Sequence, residues 1–338
     1  MRWRVVQGLM KEIINHSTDP YFNMAMEEYS IRQLPADDNY FMLWQNQPAV
    51  IIGRNQNTIE EINSSFVEEH GIKVVRRMSG GGAVYHDFGN LNFTFVVDEN
   101  QDFANFDKFT RPVINALKRL GIEAENNGRN DLTIAGKKFS GNAQYKHRNR
   151  LLHHGTILFN SNIEIMVQAL NPSPEKISSK GIKSVRSRVT NIHEHLPIPV
   201  TIEEFKQVLT EEVFRLELAP AVYRLNESDR QKITELRNNK YASWDWIYGT
   251  SPAYNVRKTA NFGWGRIDIR LDVKRGLICG CKIFGDFFSP QDMDELENSL
   301  IGTKYREEDL TKRLVEIDLR QFFPQSEGDE LQTLLCST

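Results

Sequence analysis

Arg76-Arg77-Met78-Ser79-Gly80-Gly81-Gly82-Ala83-Val84-Tyr85-His86-Asp87 is the stretch whose chemistry organises the rest of the chain. It begins where Lys73-Val74-Val75, a β-branched run, predicts a strand. Three consecutive glycines cost conformational entropy on folding, so they imply backbone that passes close to a neighbour or takes positive φ. The N–H groups of such a loop can form an anion-binding nest, and Arg76 or Arg77 adds a fixed charge suited to a phosphate. It is not a P-loop, because G-x-x-x-x-G-K-[ST] is absent. The plain alternative is a glycine-rich turn between strands with both arginines on a solvated face.

Outward from the loop, elements follow from local chemistry. Upstream, Asp19-Pro20 is a helix start, with Asp as cap and Pro at the first position, and Phe22, Ala25, Met26 and Tyr29 follow at helical spacing. FMLW (41–44) and AVIIG (49–53) read as two strands joined by a turn containing Pro48, and a helix over about 59–70 closes at Gly71. Downstream, LNFTFVV (91–97) alternates as a half-buried strand. A helix over roughly 107–120 ends at Gly121. DLTI, AG and KKFSGNAQY form a hairpin, HGTILF gives another strand, and Thr201-Ile202-Glu203-Glu204 is a capping box ahead of Phe205, Val208 and Leu209. Strands in adjacent pairs with intervening helices predict an α+β fold rather than strict βαβ alternation. After SWDWIYGTSPAY (243–254) the texture changes. IDIRLDV and LICGCKIF flank a KRG turn, and two helical segments follow. A large domain over 1–248 and a small α+β domain over 255–338 are expected.

The composition excludes several classes. The chain has 338 residues, 40% of them apolar and 26% charged, which suits a globular protein with a proper core. A net charge of -3 argues against nonspecific nucleic-acid binding, which needs a basic field. No run reaches the roughly 18 apolar residues of a membrane span. The N-terminus lacks an apolar h-region, and Glu12 and Asp19 speak against a presequence, so a cytoplasmic protein is expected. The three cysteines, Cys279, Cys281 and Cys336, include no C-x-x-C pair, and disulfide and structural-zinc readings are poor.

Three further groups of residues carry possible chemistry. Asn130-Asp131-Leu132 precedes Lys137-Lys138-Phe139-Ser140-Gly141. On a strand, Lys138, Ser140 and Asn142 share one face, and Lys138 beside a small Ser-Gly pair can approach a ligand. Asp131 can align or deprotonate an amine, although a turn-capping aspartate among surface lysines accounts for the same residues. His153 and His154 would face opposite ways, so they do not suggest zinc. Lys180, Lys183, Arg186 and Arg188 form a solvated basic stretch or a cationic lid over polyphosphate.

Taken together, DPYFNMAMEEY, LWQNQPAVIIGRNQN, RRMSGGGAVYHDFGNLNFTF, GRNDLTIAGKKFSGNAQY, HHGTILFN, KGIKSVRSRVTN and SWDWIYG resemble the lipoate-protein ligase A family over essentially the whole chain. The resemblance implies a large domain of the biotin-ligase and class II synthetase type with mixed sheets flanked by helices. It implies a small C-terminal domain of the kind that accompanies activation of free lipoate. It further implies activation of lipoate by ATP with Mg²⁺, and transfer to a lysine of lipoyl domains in 2-oxoacid dehydrogenase acyltransferase subunits or of the glycine cleavage H protein. Carried over by position, Arg77 and the Gly82-Ala83-Val84-Tyr85 backbone hold the nucleotide, and Lys138 contacts lipoate carboxyl and α-phosphate. Asn90 and Asp131 fall at ligand-lining positions. Arg54 and His86 are carried with them, and Gly80, Gly81 and His154 are pocket neighbours. Met78 and Tyr85 vary in the family, so no side-chain role goes with either.

The chemistry agrees. A carboxylate attacking a phosphate brings two anions together, so cations are needed, and an apolar tail needs an apolar tunnel that FMLW and AVIIG could line. The nearest rival is a lipoyl or octanoyl transferase using a cysteine acyl-enzyme, and the catalytic part has no cysteine. A biotin ligase fits the loop less well. A noncatalytic protein that binds lipoyl-AMP or lipoyl domains would have little reason to keep Arg77, the glycines, Asp131 and Lys138 together.

Overall fold

The computed structural model describes residues 9–98, 103–127, 130–170, 187–215, 221–248, 255–274, 276–305, 307–326 and 330–336. Its centre is an eight-stranded mixed sheet made of β1 (Met10–Ile13), β2 (Asn39–Trp44), β6 (Asn90–Asp98), β7 (Glu125–Asn126), β8 (Asp131–Ile134), β9 (Lys137–His147), β10 (Arg150–Leu158) and β11 (Ala221–Tyr223). The strand order is β11-β1-β2-β6-β10-β9-β8-β7. The β11-β1-β2 edge is parallel and the remaining pairs are antiparallel. A second sheet, β4-β3-β5, joins β3 (Ala49–Ile52), β4 (Lys73–Arg76) and β5 (Val84–His86). FMLW and AVIIG, adjacent in the chain, therefore belong to different sheets.

Each face of the large sheet is covered for a reason visible in the side chains. Phe41, Phe93, Phe95 and Val97 pack with Phe109, Val113 and Leu117 of α4 (Phe106–Arg119) and with Phe205 and Leu209 of α6 (Ile202–Val213). Thr201 accepts from the Glu204 amide while Glu204 reaches back to the cap, completing the expected box. On the opposite face Tyr40, Met42, Trp44 and Val96 meet Met24, Ala25, Met26 and Tyr29 of α1 (Pro20–Arg32). Asp19 caps α1 through the Tyr21 amide, 2.9 Å away. Ile51 and Val75 of the second sheet join the same cluster, so α1 is wedged between the two sheets.

Two local expectations are corrected. The helix over 59–70 is two short helices, α2 (Thr58–Glu61) and α3 (Ser64–Glu69), because Asn63 turns its side chain to cap the second one through Phe66. Strand β6 is buried on both faces rather than half-exposed. Its polar alternation is real, but Asn92 and Thr94 point under α1 rather than into water, and Thr94 donates to the buried Glu27 at 2.6 Å.

The C-terminal residues form their own core. Strands β12 (Val256–Phe262), β13 (Gly265–Lys274) and β14 (Leu277–Gly285) make an antiparallel meander. It is covered by α9 (Met293–Leu300), α10 (Glu307–Val315) and α11 (Glu330–Cys336), around Ile267, Ile269, Phe287, Leu296 and Phe323. Cys281 is buried and Cys279 exposed: two residues apart they would share a face of a regular strand, and the register shift between Asp272 and Val273, which leaves Cys279 unpaired, separates them. Truncating Phe109, fully buried beneath the sheet, to alanine is expected to lower stability by about 3–5 kcal/mol. Urea unfolding of the Phe109→Ala variant measures it, and a loss under about 1 kcal/mol would mean the site collapses around the cavity.

Candidate active site

The glycine loop owes its shape to Arg77. The Arg77 guanidinium is buried and donates to Ser79 Oγ at 3.1 Å, and to the carbonyls of Ile51 at 3.2 Å, Gly80 at 2.7 Å and Gly82 at 2.8 Å. Burial pulls its pKa down to about 10, opposed by the charge of Glu27. Arg76 points elsewhere. It ties the carbonyls of Gly53, Arg54, Gln56, Trp246 and Ile247 together, so it braces the scaffold rather than facing a phosphate.

The three glycines answer to three different needs. A Cβ at Gly80 would lie 2.1 Å from the Phe287 carbonyl oxygen of the C-terminal unit, whose oxygen also accepts from the Gly81 amide at 3.2 Å. Gly81 has φ +91, a conformation that favours glycine. Its carbonyl oxygen lies where a Cβ on Gly53 would be, 2.0 Å away. Gly82 alone borders open space. Gly81 and Gly82 both reach the cavity wall, and Gly82 is the less crowded of the two.

That open space is a cavity of about 110 Å³, large against the roughly 10–15 Å³ that admits one water. It lies across the large sheet. Trp44 pairs with Asn92, Asn92 with Thr156, and Thr156 Oγ1 accepts from the Gly141 amide at 3.3 Å. These four residues line the cavity from β2 to β9, a row of three interstrand steps or roughly 14 Å. Gly82, Ala83 and Val84 roof it.

The two ends differ in chemistry. At the β9 end Lys138 Nζ lies 2.7 Å from Asp131 Oδ1. A register irregularity between β8 and β9 moves Lys138 off the face shared by Ser140 and Asn142 and lays its ammonium over Gly141, where a Cβ would be 2.9 Å from Nζ. The expected face for Lys138 is corrected by that bulge. The segment at Arg188–Thr190 is stitched to the same residue: Lys138 N donates to Arg188 O at 2.7 Å and Thr190 N to Lys138 O at 2.9 Å. Lys180, Lys183 and Arg186 of the basic stretch lie outside the described residues. At the β2 end the walls are Met24, Trp44 and Ile51, with His86 against Trp44, while His154 lines the cavity from β10. FMLW and AVIIG thus contribute one wall residue each.

The two histidines have opposite hydrogen-bond roles. His154 Nδ1 lies 3.0 Å from the Glu27 carboxylate, which only accepts, so Nδ1 carries a proton, and Nε2 shares a hydrogen bond with Ser79 Oγ at 2.6 Å. Ser79 in turn accepts from Arg77, so a buried carboxylate fixes the loop's serine through one imidazole. His86 Nδ1 meets Asn46 Nδ2 at 3.0 Å, and its Nε2 is buried without a hydrogen-bond partner among the described residues. Burial, then the charges of Arg77 and His154, push its pKa down to about 3. His153 faces the other side, stacked on Phe93 and Phe109, and takes no part.

Other candidate residues fall outside the cavity wall, Asp131 among them, which meets the site through its ion pair to Lys138. Asn90 is buried one residue pair away, donating to Asn92, which lines the cavity in its place. Tyr85 packs with Val50 and Ile52 on the far face of its strand. Arg54 and Gly80 line a second, polar cavity against the C-terminal unit, where Arg54 pairs with Asp292 at 3.1 Å and covers the Trp246 ring. Met24, Asn130, Asn142, Thr156 and Phe288 line the main cavity without having been singled out. Asn130 and Asn142 adjoin recognised residues and Thr156 extends the HHGT segment, but nothing local marks Phe288, which arrives from the C-terminal unit.

A cavity with a lysine at one end, ion-paired to a carboxylate behind it, an apolar far end and a glycine loop above defines the class: a site that activates and transfers an acyl chain. Comparison with known proteins narrows it. Residues 19–214 match the family profile "Lipoyl protein ligase A/B catalytic domain", and residues 251–335 match "Bacterial lipoate protein ligase C-terminus". Lipoate–protein ligase 1 of Staphylococcus aureus is 47% identical over 96% of this chain and 100% of its own length. A lipoate-protein ligase of Bacillus subtilis is 48% identical over 90% of this chain and 93% of its own. A lipoate complex of a Plasmodium falciparum relative superposes with a TM-score of 0.79 at 28% identity, covering 91% of this chain and 95% of that one. The chain belongs to the lipoate-protein ligase family.

Neutral buried histidines set a pH dependence. The unfolded chain protonates His86 and His153 below about pH 6.5, whereas the folded chain holds both neutral well below that. Their contribution is therefore complete above about pH 6.5 and is lost as pH falls toward the folded values. The urea midpoint is expected to drop steadily between about pH 6.5 and 4, more steeply in wild type than in His86→Gln. Equal slopes for the two proteins would mean that His86 is accessible to protons in the fold.

Proposed function

We propose that the chain carries out both half-reactions of lipoylation in this one cavity. In the first, the lipoate carboxylate attacks the α-phosphate of ATP, forming lipoyl-AMP and expelling pyrophosphate. In the second, the amine of an acceptor lysine attacks the acyl carbonyl and expels AMP. The observation that carries the reading is the Lys138–Asp131 pair at the charged end of a cavity with Trp44, Met24 and Ile51 at the other.

Each step asks something of these residues. Lys138 supplies the cation that lets two anions approach, and in a water-poor site such a charge acts strongly on the developing transition state. Gly82, Ala83 and Val84 present backbone to the nucleotide. Arg77 acts from behind, fixing the carbonyls of Gly80 and Gly82 so that the loop is preorganised. Asp131 positions the incoming amine and takes its proton in the second step.

Mg²⁺ fits as a passenger of ATP. Among the described residues no three His, Cys, Asp or Glu side chains gather as a protein-only metal cage, whereas nucleotide-borne Mg²⁺ draws most of its ligands from phosphate and water. Asp131 is already ion-paired to Lys138, which leaves the ion to phosphate oxygens and water. Bound there, the ion would neutralise phosphate charge.

A solved lipoate-protein ligase A bound with ATP, 25% identical with a TM-score of 0.62 over 72% of this chain and 99% of that one, supports nucleotide use. A Thermoplasma acidophilum ligase described with its E2 lipoyl domain, 27% identical with a TM-score of 0.65 over 74% of this chain and 99% of that one, supports the acceptor class. The acceptors proposed here are lipoyl domains of 2-oxoacid dehydrogenase acyltransferase subunits and the glycine cleavage H protein, met in the cytoplasm. Among the described residues no helix is long and apolar enough to cross a membrane. The division into 1–248 and 255–338 is part of the proposal, supported by the separate C-terminal core. Cysteine acyl-transfer is disfavoured by placement. Cys279 and Cys281 sit on β14 outside the cavity, and burial raises the Cys281 thiol to about 12.

The test follows pyrophosphate release and acceptor mass with ATP, Mg²⁺ and lipoate, with and without an apo lipoyl domain. Lys138→Ala is expected to lower pyrophosphate release by about a hundredfold or more, and Asp131→Asn to slow transfer by roughly a hundredfold with adenylation nearly intact. Equal loss of both steps in Asp131→Asn would make it a support for Lys138 alone. Modification from supplied lipoyl-AMP but not from ATP and lipoate would overturn the first half-reaction.

A further inference from the structure

His86 is a buried imidazole whose tautomer can be read from its neighbours. The Asn23 side-chain nitrogen lies 3.0 Å from the carbonyl oxygens of Ser17 and Gln45. Carbonyls accept only, so that atom is the amide nitrogen and the Asn23 oxygen faces Asn15 Nδ2, at 2.8 Å. Asn23 Nδ2 also meets Asn46 Oδ1 at 2.8 Å, which turns Asn46 Nδ2 toward His86 Nδ1. An amide nitrogen only donates, so His86 Nδ1 must accept, and the ring proton stands on Nε2. Both asparagines are 0% exposed, so water does not offer them an alternative. The chain from Asn15 to His86 runs in one direction only.

The consequence is an N–H donor with no acceptor among the described residues. His86 Nε2 is buried and makes no hydrogen bond among the described residues. The ring lines the cavity and stands edge-on to Trp44, with centroids 5.9 Å apart. Trp44 begins the row that ends at Gly141 beneath Lys138, so His86 belongs to the end far from the carboxylate-binding lysine. An unpartnered buried donor costs stability unless something completes it. It marks the place where a ligand atom with a lone pair belongs.

We propose that Asn23 and Asn46 hold His86 as a hydrogen-bond donor at the far end of the cavity, and that this donor selects acyl chains ending in an acceptor, a ring sulfur rather than a methyl group. The inference rests on the proposed seating of lipoate with its carboxylate at Lys138. Lipoate ends in a five-membered disulfide ring, whose sulfurs are weak acceptors. An eight-carbon fatty acid has the same carboxylate and nearly the same chain but ends in hydrogens alone. It would cover Nε2–H with nothing to receive the proton, and a site built to hydrogen-bond one substrate penalises the analogue that cannot. Asn46 acts through His86 and is a positioning residue. His86 itself reads the chain end.

The experiment compares kcat/KM for lipoate and octanoate, by pyrophosphate release, in wild type, His86→Phe and Asn46→Asp. The ratio favouring lipoate is expected to fall by about tenfold in His86→Phe, the size of one unsatisfied buried donor. Asn46→Asp offers an acceptor to Nδ1 and draws the ring proton onto that nitrogen, so its ratio should fall too. Because a buried carboxylate can prevent folding, ¹⁵N spectra of the histidine rings in wild type give an independent readout. They should show His86 protonated at Nε2, with a resonance that shifts on adding lipoate and not on adding octanoate. An unchanged ratio in His86→Phe, or an Nδ1–H tautomer in wild type, overturns the inference. Failure of wild type to release pyrophosphate with either acid overturns instead the seating on which it depends.

Discussion

The placement of one buried cation, the Arg77 guanidinium, is the constraint from which the active site follows. A charge taken out of water costs several kcal/mol unless its surroundings replace the lost hydration. Arg77 finds that replacement in the carbonyls of its own loop and of Ile51, with Ser79 as a further acceptor. The loop therefore curls around the guanidinium, and its glycines are required by that curl: Gly81 takes positive φ, and its carbonyl passes tightly over Gly53. The same cation is linked through Ser79 and His154 to Glu27 on α1, deep between the sheets. A carboxylate in the core is thus compensated by hydrogen bonds from Thr94 and His154, and its field reaches the arginine. The network connects the helix, both sheets and the loop in one polar chain whose members all have partners.

The sequence disclosed most of what depends on neighbours along the chain. The Asp19 cap, the Thr201 capping box, the AG turn between β8 and β9 and the pairing of IDIRLDV with LICGCKIF are local chemistry, and each is found where the residues call for it. Motif resemblance singles out Lys138, Asp131 and the glycines, and the fold brings Lys138, Gly81, Gly82, Ala83, Val84, His86 and His154 to one cavity. What was not legible depends on tertiary partners. The polar alternation of LNFTFVV looked like a wet face because nothing in those residues announces that α1 carries Glu27 to meet Thr94. Asn90 and Asn92 are equally placed by pattern, and only register with Trp44 and Thr156 chooses Asn92. Arg76 and Arg77 look interchangeable in sequence. The strand sends them to opposite sides, one to the SWDWI segment and one to the loop.

The glycine triplet also explains why the C-terminal unit belongs to the site. Phe287 brings its carbonyl against Gly80 at a distance no side chain would permit, and the next residue, Phe288, enters the cavity wall beside Ala143 and Phe106. The Gly285 amide adds a hydrogen bond to Asn55 O at 2.7 Å. These contacts are mostly backbone or single rings, and the ion pair between Arg54 and Asp292 is partly exposed, where such pairs contribute little. Any change in the loop's curl, including one imposed by a ligand drawing on Arg77, alters the surface that Phe287 recognises. Loop shape and the seating of the C-terminal unit are in this sense geometrically tied, through a residue pair, Gly80 and Phe287, that has no reactive atom of its own.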